Sequence, residues 1–307
     1  MSTRHAMRTR FIVNSTAGRG LAGQLFGQLQ TFLARYGVEG DIAQTQAPGH
    51  AIELARQAAL AGYERVVAMG GDGTINQVAN GLLSVPECQA VLGILPAGSG
   101  NDFAYAVGIP KDLEGACQRL AEGRVATVDV IRVTVDGETH LYCNAVGIGL
   151  DAEVLLETLK ITRLRGFALY GWALLKILFT NGHWPYPMRI RVDDQELPHQ
   201  AVTLITVANG QRVAGGFHLT PQARTDDGLL DVCLAGPVDR FSMIFRFLAK
   251  ATKGTHIKEK EVTSLQGRRV VIEGLQGLPA HMDGEVLCTA GRRVEFEMLP
   301  GRLKVWC

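Results

Sequence analysis

The stretch RVVAMGGDGTINQVANGLL, residues 65–83, carries the fold in miniature. Arg65 to Met69 is a short, mostly apolar run that reads as a buried strand. Gly70, Gly71, Asp72, Gly73 and Thr74 break it with a glycine-rich loop, and the run beyond them reads as a helix through Leu83. Strand, loop and helix in that order make a βα unit.

Outward from this unit the pattern repeats. Arg10 to Asn14 predicts a strand, followed by the loop STAGRG and a helix whose Leu25, Leu29, Phe32, Leu33 and Tyr36 recur at three and four until Gly37. Val38 to Thr45 predicts a second strand. Pro48 opens a helix that Gly62 closes, and Val91 to Leu95 is a strand before the loop PAGSGND. Asp112 then caps a helix that ends at Gly123. The expected first domain, residues 1–129, is an open, mostly parallel α/β sheet with helices on both faces. From Val125 the texture changes to alternating strands with turn signals at Asp136-Gly137, Asp193-Asp194 and Asp226-Asp227-Gly228. Residues 130–296 therefore read as a mainly antiparallel lobe, interrupted by helical tracts at Leu164 to Phe179 and Phe241 to Lys250. A cleft between the lobes is the expected place for a site.

Composition narrows the function. With 47% hydrophobic and 20% charged residues the 307-residue chain is globular, and a net charge of +1 argues against a nucleic-acid partner. The six cysteines, at 88, 117, 143, 233, 288 and 307, show no metal-ligand spacing, which fits a reducing cytoplasm. The apolar run Phe11 to Val13 is too short for a signal peptide. The longest apolar tract, Gly166 to Phe179, is broken by Lys176 and falls short of a membrane span. A homo-oligomer is compatible with all of this.

Three glycine loops, NSTAGRG (14–20), GGDGTIN (70–76) and PAGSGND (96–102), each follow a strand and enter a helix. At the carboxyl edge of an α/β sheet such loops let backbone N–H groups approach an anion, so together they read as a polyphosphate cradle. Asp72 among those amides would repel phosphate unless a divalent cation stands between them; its other reading is a turn in which it bonds its own backbone. Thr74, Asn76, Ser99 and Asn101 are phosphate donors or helix caps. No GxxxxGK[ST] loop, HRD/DFG pair or GxGxxG dinucleotide fingerprint occurs.

GGDGTINQVANGL (70–82), LGILPAGSGNDFAYAVGIP (92–110), NAVGIGLDAEV (144–154), NGQRVAGGFHLTPQARTDDGLLDV (209–232) and HMDGE (281–285) together resemble the diacylglycerol-kinase catalytic family, which includes soluble bacterial lipid kinases and sphingosine and ceramide kinases. The resemblance implies a nucleotide-binding lobe like that of NAD kinases and phosphofructokinases. A β-sandwich lobe follows, and residues 297–307 return to the first lobe. It implies transfer of the ATP γ-phosphoryl group to a lipid hydroxyl, with diacylglycerol the leading acceptor. The rival expectations are a soluble-acceptor kinase of the NAD-kinase type and a catalytically silent nucleotide- or lipid-binding protein. By motif, Asn14, Gly70, Gly71, Asp72, Gly73, Thr74, Ile75, Asn76, Gln77, Ser99, Gly100 and Asn101 would hold the nucleotide, with Thr45 near the adenosine. Glu285 would be the general base, with Asp283 and Asp72 beside it in catalysis. A structural Mg2+ is expected at Asp227, helped by the backbone oxygens of Arg224 and Leu229. The chain departs from the family in reading NST where Asn-Pro is usual, and in Gln77 and Ser99 where Glu and Thr are common.

The residues leave two choices open. A second DGE stands at Asp136, Gly137 and Glu138, and only the resemblance selects 283–285. Asp226-Asp227-Gly228 reads equally as a plain turn or a metal loop. Between Glu157 and Asp193 no acidic residue occurs, while Lys160, Arg163, Arg165, Lys176, Arg189 and Arg191 are basic. That charge predicts peripheral contact with an anionic membrane, whereas the stripe Leu164, Phe167, Gly171, Leu174, Leu175 and Leu178 reads as a core face. His50, His183 and His281 are expected to be structural, and Trp306 to be packed.

Overall fold

The computed structural model describes residues 7–161, 164, 166–179 and 184–307. The chain divides into two compact units, one running to Val128 and taking in Gly301–Cys307, the other Asp129–Pro300.

In the first unit β1 (Thr9–Val13), β2 (Asp41–Gln44), β3 (Arg65–Gly70) and β4 (Val91–Pro96) lie parallel in the order β2-β1-β3-β4. The end of the last strand, β15 (Glu285–Trp306), lies parallel beside β4 through Val305 and Leu92. Phe11, Ile12, Val67, Met69, Leu92 and Ile94 are fully buried, as strands covered on both faces must be. Helices α1 (Ala17–Arg35) and α5 (Leu113–Glu122) pack against each other, and so do α2 (His50–Leu60) and α3 (Asp72–Leu83). Asp112 caps α5 by accepting the Gly115 N–H (2.7 Å), as its sequence predicts. Trp306 is packed too: its indole N–H donates to Arg119 O (3.1 Å), and the buried Arg65 guanidinium lies 5.2 Å from its ring centre.

The second unit is built on antiparallel pairs running β13 (Val262–Gly267), β12 (Leu230–Ala235), β11 (Leu204–Ala208), β7 (Ala145–Gly149) and β14 (Arg269–Met282). Strand β14 also pairs with β15 and with β8 (Tyr186–Val192), and β5 (Val125–Val135) forms a hairpin with β6 (Glu138–Tyr142). In β8, Tyr186, Met188, Ile190 and Val192 are buried while Arg189 and Arg191 are exposed, the period of a strand with one wet face. By contrast β7, β11 and β12 are buried throughout. One set of their side chains joins a core with Ile131, Tyr142, Ile190, Ile272 and Phe296. The other set meets the helices α6 (Leu150–Thr158) and α7 (Gly166–Phe179) and a helical segment at 240–251, through Leu150, Val154, Leu174, Leu178, Met243 and Phe247. That last segment contains a π-helical turn, Met243–Leu248.

Candidate active site

Strand order β2-β1-β3-β4 reverses direction of progress between β1 and β3, the switch point where open α/β sheets bind ligands beyond their carboxyl ends. The loops after β1, β3 and β4 meet there. A Cβ on Gly98 would stand 2.3 Å from the Gly71 Cα, so the second and third glycine loops touch backbone to backbone. A Cβ on Gly18 would meet Ala97 O at 2.6 Å, which brings in the first loop. Asn14 locks the arrangement: its amide donates to Thr74 Oγ1 (3.0 Å), and its Oδ1 accepts from the Thr16 N–H (3.2 Å) and hydroxyl (2.8 Å). Thr45, at the end of β2, donates its N–H to Val13 O (2.9 Å) on the same edge. Helix α3 begins after an extended Gly71, which has no side chain to cap it, so the partial positive end of the helix lies beside the glycine loops.

Asp72 serves the fold in more ways than its turn reading expects. Its Oδ1 accepts from the N–H groups of Asp102 (2.7 Å) and Phe103 (3.2 Å), and its Oδ2 from that of Asn101 (2.7 Å). It bonds its own backbone N–H, as the turn reading expects, but it also caps α4 (Asp102–Ala106) and clips the second loop to the third. Burial pushes its carboxyl above the ordinary range, while four amides, those of Phe103, Asn101, Asp102 and Asp72 itself, pull the other way. Asp72→Ala is therefore expected to lower stability by about 2–4 kcal/mol, because amides of the buried residues Asn101, Asp102 and Phe103 lose their acceptor. A urea midpoint unchanged from the parent would refute that role.

Other predicted nucleotide contacts also turn inward. Ile75 is buried in the core and its N–H donates to Gly71 O (3.0 Å), so neither side chain nor amide is offered to a ligand. Asn76 is buried and accepts from the Asn80 amide at its backbone oxygen (2.8 Å) and Oδ1 (3.3 Å). Asn101, in left-handed backbone, returns both ends of its amide to Gly98, at 2.9 and 3.0 Å. These residues shape the loops. Ser99 is exposed at the tip of the third loop, Gly73 and Gln77 are half-buried on α3, and Gly100 packs so closely that a Cβ would meet Asp72 Oδ2 at 2.8 Å.

In the second unit Met282 pairs with Glu285 across a two-residue hairpin, Asp283 (φ 46°) and Gly284 (φ 85°). The Asp283 carboxylate accepts from the N–H groups of Ala145 (2.8 Å) and Asn144 (3.4 Å), pinning the turn to β7. The second DGE is built identically: Asp136 (φ 48°) and Gly137 (φ 97°) turn the hairpin, and the Asp136 carboxylate accepts from the N–H groups of Arg292 and Arg293. Asp193 repeats the device on Arg268 and Arg269. What sets 283–285 apart is its neighbourhood. His281, buried on β14, has Nε2 3.0 Å from Asp151 Oδ2 on the first turn of α6. A Cβ on Gly147 would fall 2.3 Å from that oxygen and 2.4 Å from that nitrogen, so only glycine seats the pair. Burial disfavours the His281 charge, but Asp151 and Asp283 carry its titration above the ordinary value. Sequence reasoning misses this pair, because no spacing signal links its members.

The expected metal loop is an ordered turn. Asp227 Oδ1 accepts the Leu229 N–H (3.1 Å), and the Gly228 N–H donates to Asp129 Oδ2 (2.7 Å). Arg224 donates to Asp226. No group of three or more His, Cys, Asp or Glu side chains suited to a metal occurs among the described residues.

An α/β unit with converging glycine loops, joined in one chain to an antiparallel β unit, defines a class that includes the NAD and diacylglycerol kinases. An NAD kinase from Archaeoglobus fulgidus, solved in complex with ATP, matches with a TM-score of 0.52 at 15% identity, over 98% of this chain and 94% of that one. A diacylglycerol kinase from Bacillus anthracis str. Sterne matches with 0.71 at 22% identity, over 98% and 96%. Residues 8–133 match the diacylglycerol kinase catalytic domain model, and residues 144–307 the YegS C-terminal NAD kinase beta sandwich-like domain. The chain belongs to the lipid-kinase family in which a diacylglycerol kinase catalytic domain is followed by the YegS C-terminal domain. It is 29% identical over 282 residues to the diacylglycerol kinase of Staphylococcus carnosus (91% of this chain, 88% of that). It is 33% identical over 241 residues to a Chromohalobacter salexigens protein described as a probable lipid kinase, YegS-like (77% and 74%).

Proposed function

We propose that the chain transfers the γ-phosphoryl group of ATP to the free hydroxyl of a lipid, converting diacylglycerol to phosphatidic acid. The observation that carries this reading is a cavity of about 340 Å³ in the second unit. Leu150, Val154, Leu174, Leu204, Phe217 and Phe247 are among its walls, and among the described residues Asp151 is the one carboxylate that lines it. A space this apolar suits acyl chains rather than a dissolved polar acceptor. Asp151 ties it, through His281, to the strand β14 that leads into the turn before Glu285.

In the proposed reaction the glycine loops hold the triphosphate through backbone amides, and Glu285 takes the proton of the acceptor hydroxyl. The acceptor oxygen bonds to the γ-phosphorus as the bond to the bridging oxygen breaks, and ADP leaves with that electron pair. Asp283 acts by fixing the turn that presents Glu285. Mg2+ with ATP would neutralise phosphate charge. At residues 224–229 a structural Mg2+ would rest on the second oxygen of Asp227 and the carbonyls of Arg224 and Leu229, an oxygen set that fits this ion if waters complete it.

Gly171 supplies the test. It lines the cavity from α7, and a Cβ there would meet nothing within 4 Å, so Gly171→Leu adds bulk to the cavity and improves helix propensity. With radiolabelled ATP and mixed vesicles containing diacylglycerol, the parent chain should form labelled phosphatidic acid. The variant should keep its stability and ATP affinity while KM for the lipid rises about tenfold. Labelling of a dissolved acceptor instead, or an unchanged lipid KM, would overturn the reading.

A further inference from the structure

Helix α7 is apolar on both sides. Leu169, Ala173, Leu174 and Leu178 are buried, so of the predicted core stripe Leu174 and Leu178 hold, whereas Leu175 is exposed. Trp172, Leu175 and Phe179, which share the opposite face at i, i+3 and i+7, are 56%, 40% and 64% exposed. Leu159 at the end of α6 and Phe241 at the start of the 240–251 segment are exposed as well. These are the helical segments that wall the apolar cavity, and Leu175 belongs to both the exposed face and the cavity lining.

Part of the charge expected to draw the tract to an anionic membrane is spent within the chain, while Arg189 and Arg191 stay exposed on β8. Lys160 and Lys176 both pair with the buried carboxylate of Glu157. In the later basic tract Arg246 pairs with Glu259 and Glu261, and Lys250 with Glu259. Arg163 and Arg165 lie outside the described residues. Paired charge is a weak lure, and the exposed apolar face adds an attraction that does not depend on charge.

We infer that the outer face of α7, with Trp172, Leu175 and Phe179 at its centre, inserts into the interfacial layer of a lipid bilayer. The occupant follows from continuity. A face that opens on an apolar cavity, with a tryptophan at its edge and no acidic residue from Thr158 to Val192, matches a surface that is oily below and wet above. The inference rests on the lipid-kinase reading for its purpose, but its measurement does not need activity.

The test uses the full chain and vesicles of phosphatidylcholine with and without phosphatidylglycerol, in the absence of ATP. The chain should co-sediment with both, retain binding at raised salt, and show a blue shift of tryptophan emission that Trp172→Phe removes. Trp172→Ser with Phe179→Ser should weaken binding by about tenfold or more, with an unchanged melting temperature, since both side chains are exposed. Turnover of a dispersed short-chain diacylglycerol should be unchanged in that variant. Binding only to the anionic vesicles, binding lost with salt, or equal binding by parent and variant would overturn the inference. So would concentration-dependent self-association abolished by the two substitutions, without vesicle binding, which would make a second copy the occupant. If the chain binds vesicles and phosphorylates no lipid, the functional proposal fails while the membrane face stands.

Discussion

Glu285→Gln should cut kcat by about 10²–10⁴-fold while leaving ATP affinity and stability unchanged, whereas Glu138→Gln should change none of the three. The two glutamates are matched to an unusual degree. Each follows an Asp-Gly hairpin whose aspartate has left-handed backbone and whose carboxylate accepts two amides of a neighbouring strand, and each is exposed. Any loss from removing a charge beside such a turn appears in both variants. A proton-accepting role at 285 then separates them in kcat, because the amide keeps the shape and hydrogen-bonding reach of the carboxylate but cannot take the hydroxyl proton. Single-turnover kinetics with diacylglycerol in vesicles, beside equilibrium binding of an ATP analogue, makes the comparison. Equal turnover in the two variants would remove Glu285 from the mechanism.

The βα units are legible in the sequence because their signals are local. Leu25, Leu29, Phe32 and Leu33 recur at helical spacing within one turn or two of each other, and the glycines that end each strand sit beside it in the chain. Even there, β2 is shorter than the run Val38 to Thr45 suggests. A Cβ on Gly40 would meet Thr9 O at 2.5 Å, so that residue is held by close approach and pairing begins at Asp41. The fate of Asp72 is not legible, since its oxygens are claimed by amides at 101–103 in the loop after another strand. Its motif points to ligand chemistry, and fold geometry uses it as a clip. The same holds for His281, which gains its meaning from Asp151, and for Lys160 and Lys176, whose charges look outward until Glu157 is placed between them. Hydrophobic period likewise finds Leu174 and Leu178 on the buried side of α7 but assigns the exposed Leu175 to the same face, because spacing cannot separate two apolar faces of one helix.

Gly98→Ala should destabilise the first unit by about 1–3 kcal/mol and weaken binding of an ATP analogue by at least about tenfold. The methyl would stand 2.3 Å from the Gly71 Cα and 3.3 Å from its nitrogen, and these are backbone atoms that no rotamer change can move. Its third neighbour, Asn101 Oδ1 at 3.0 Å, accepts the Gly98 N–H and so cannot retreat without losing that bond. Relief requires the second and third loops to part, which pulls the Asp72 carboxylate off the amides of Asn101 and Asp102 and spoils the concavity meant for phosphate. Gly27→Ala is the control. It lies exposed within α1, a Cβ there meets nothing within 4 Å, and the change should stabilise by about 0.5–1 kcal/mol through the unfolded chain alone. Thermal melts and analogue titrations on both variants separate a general glycine effect from the contact between loops. If Gly98→Ala binds the analogue as the parent does, the two loops can part without cost to the ligand, and the phosphate cradle cannot depend on their contact.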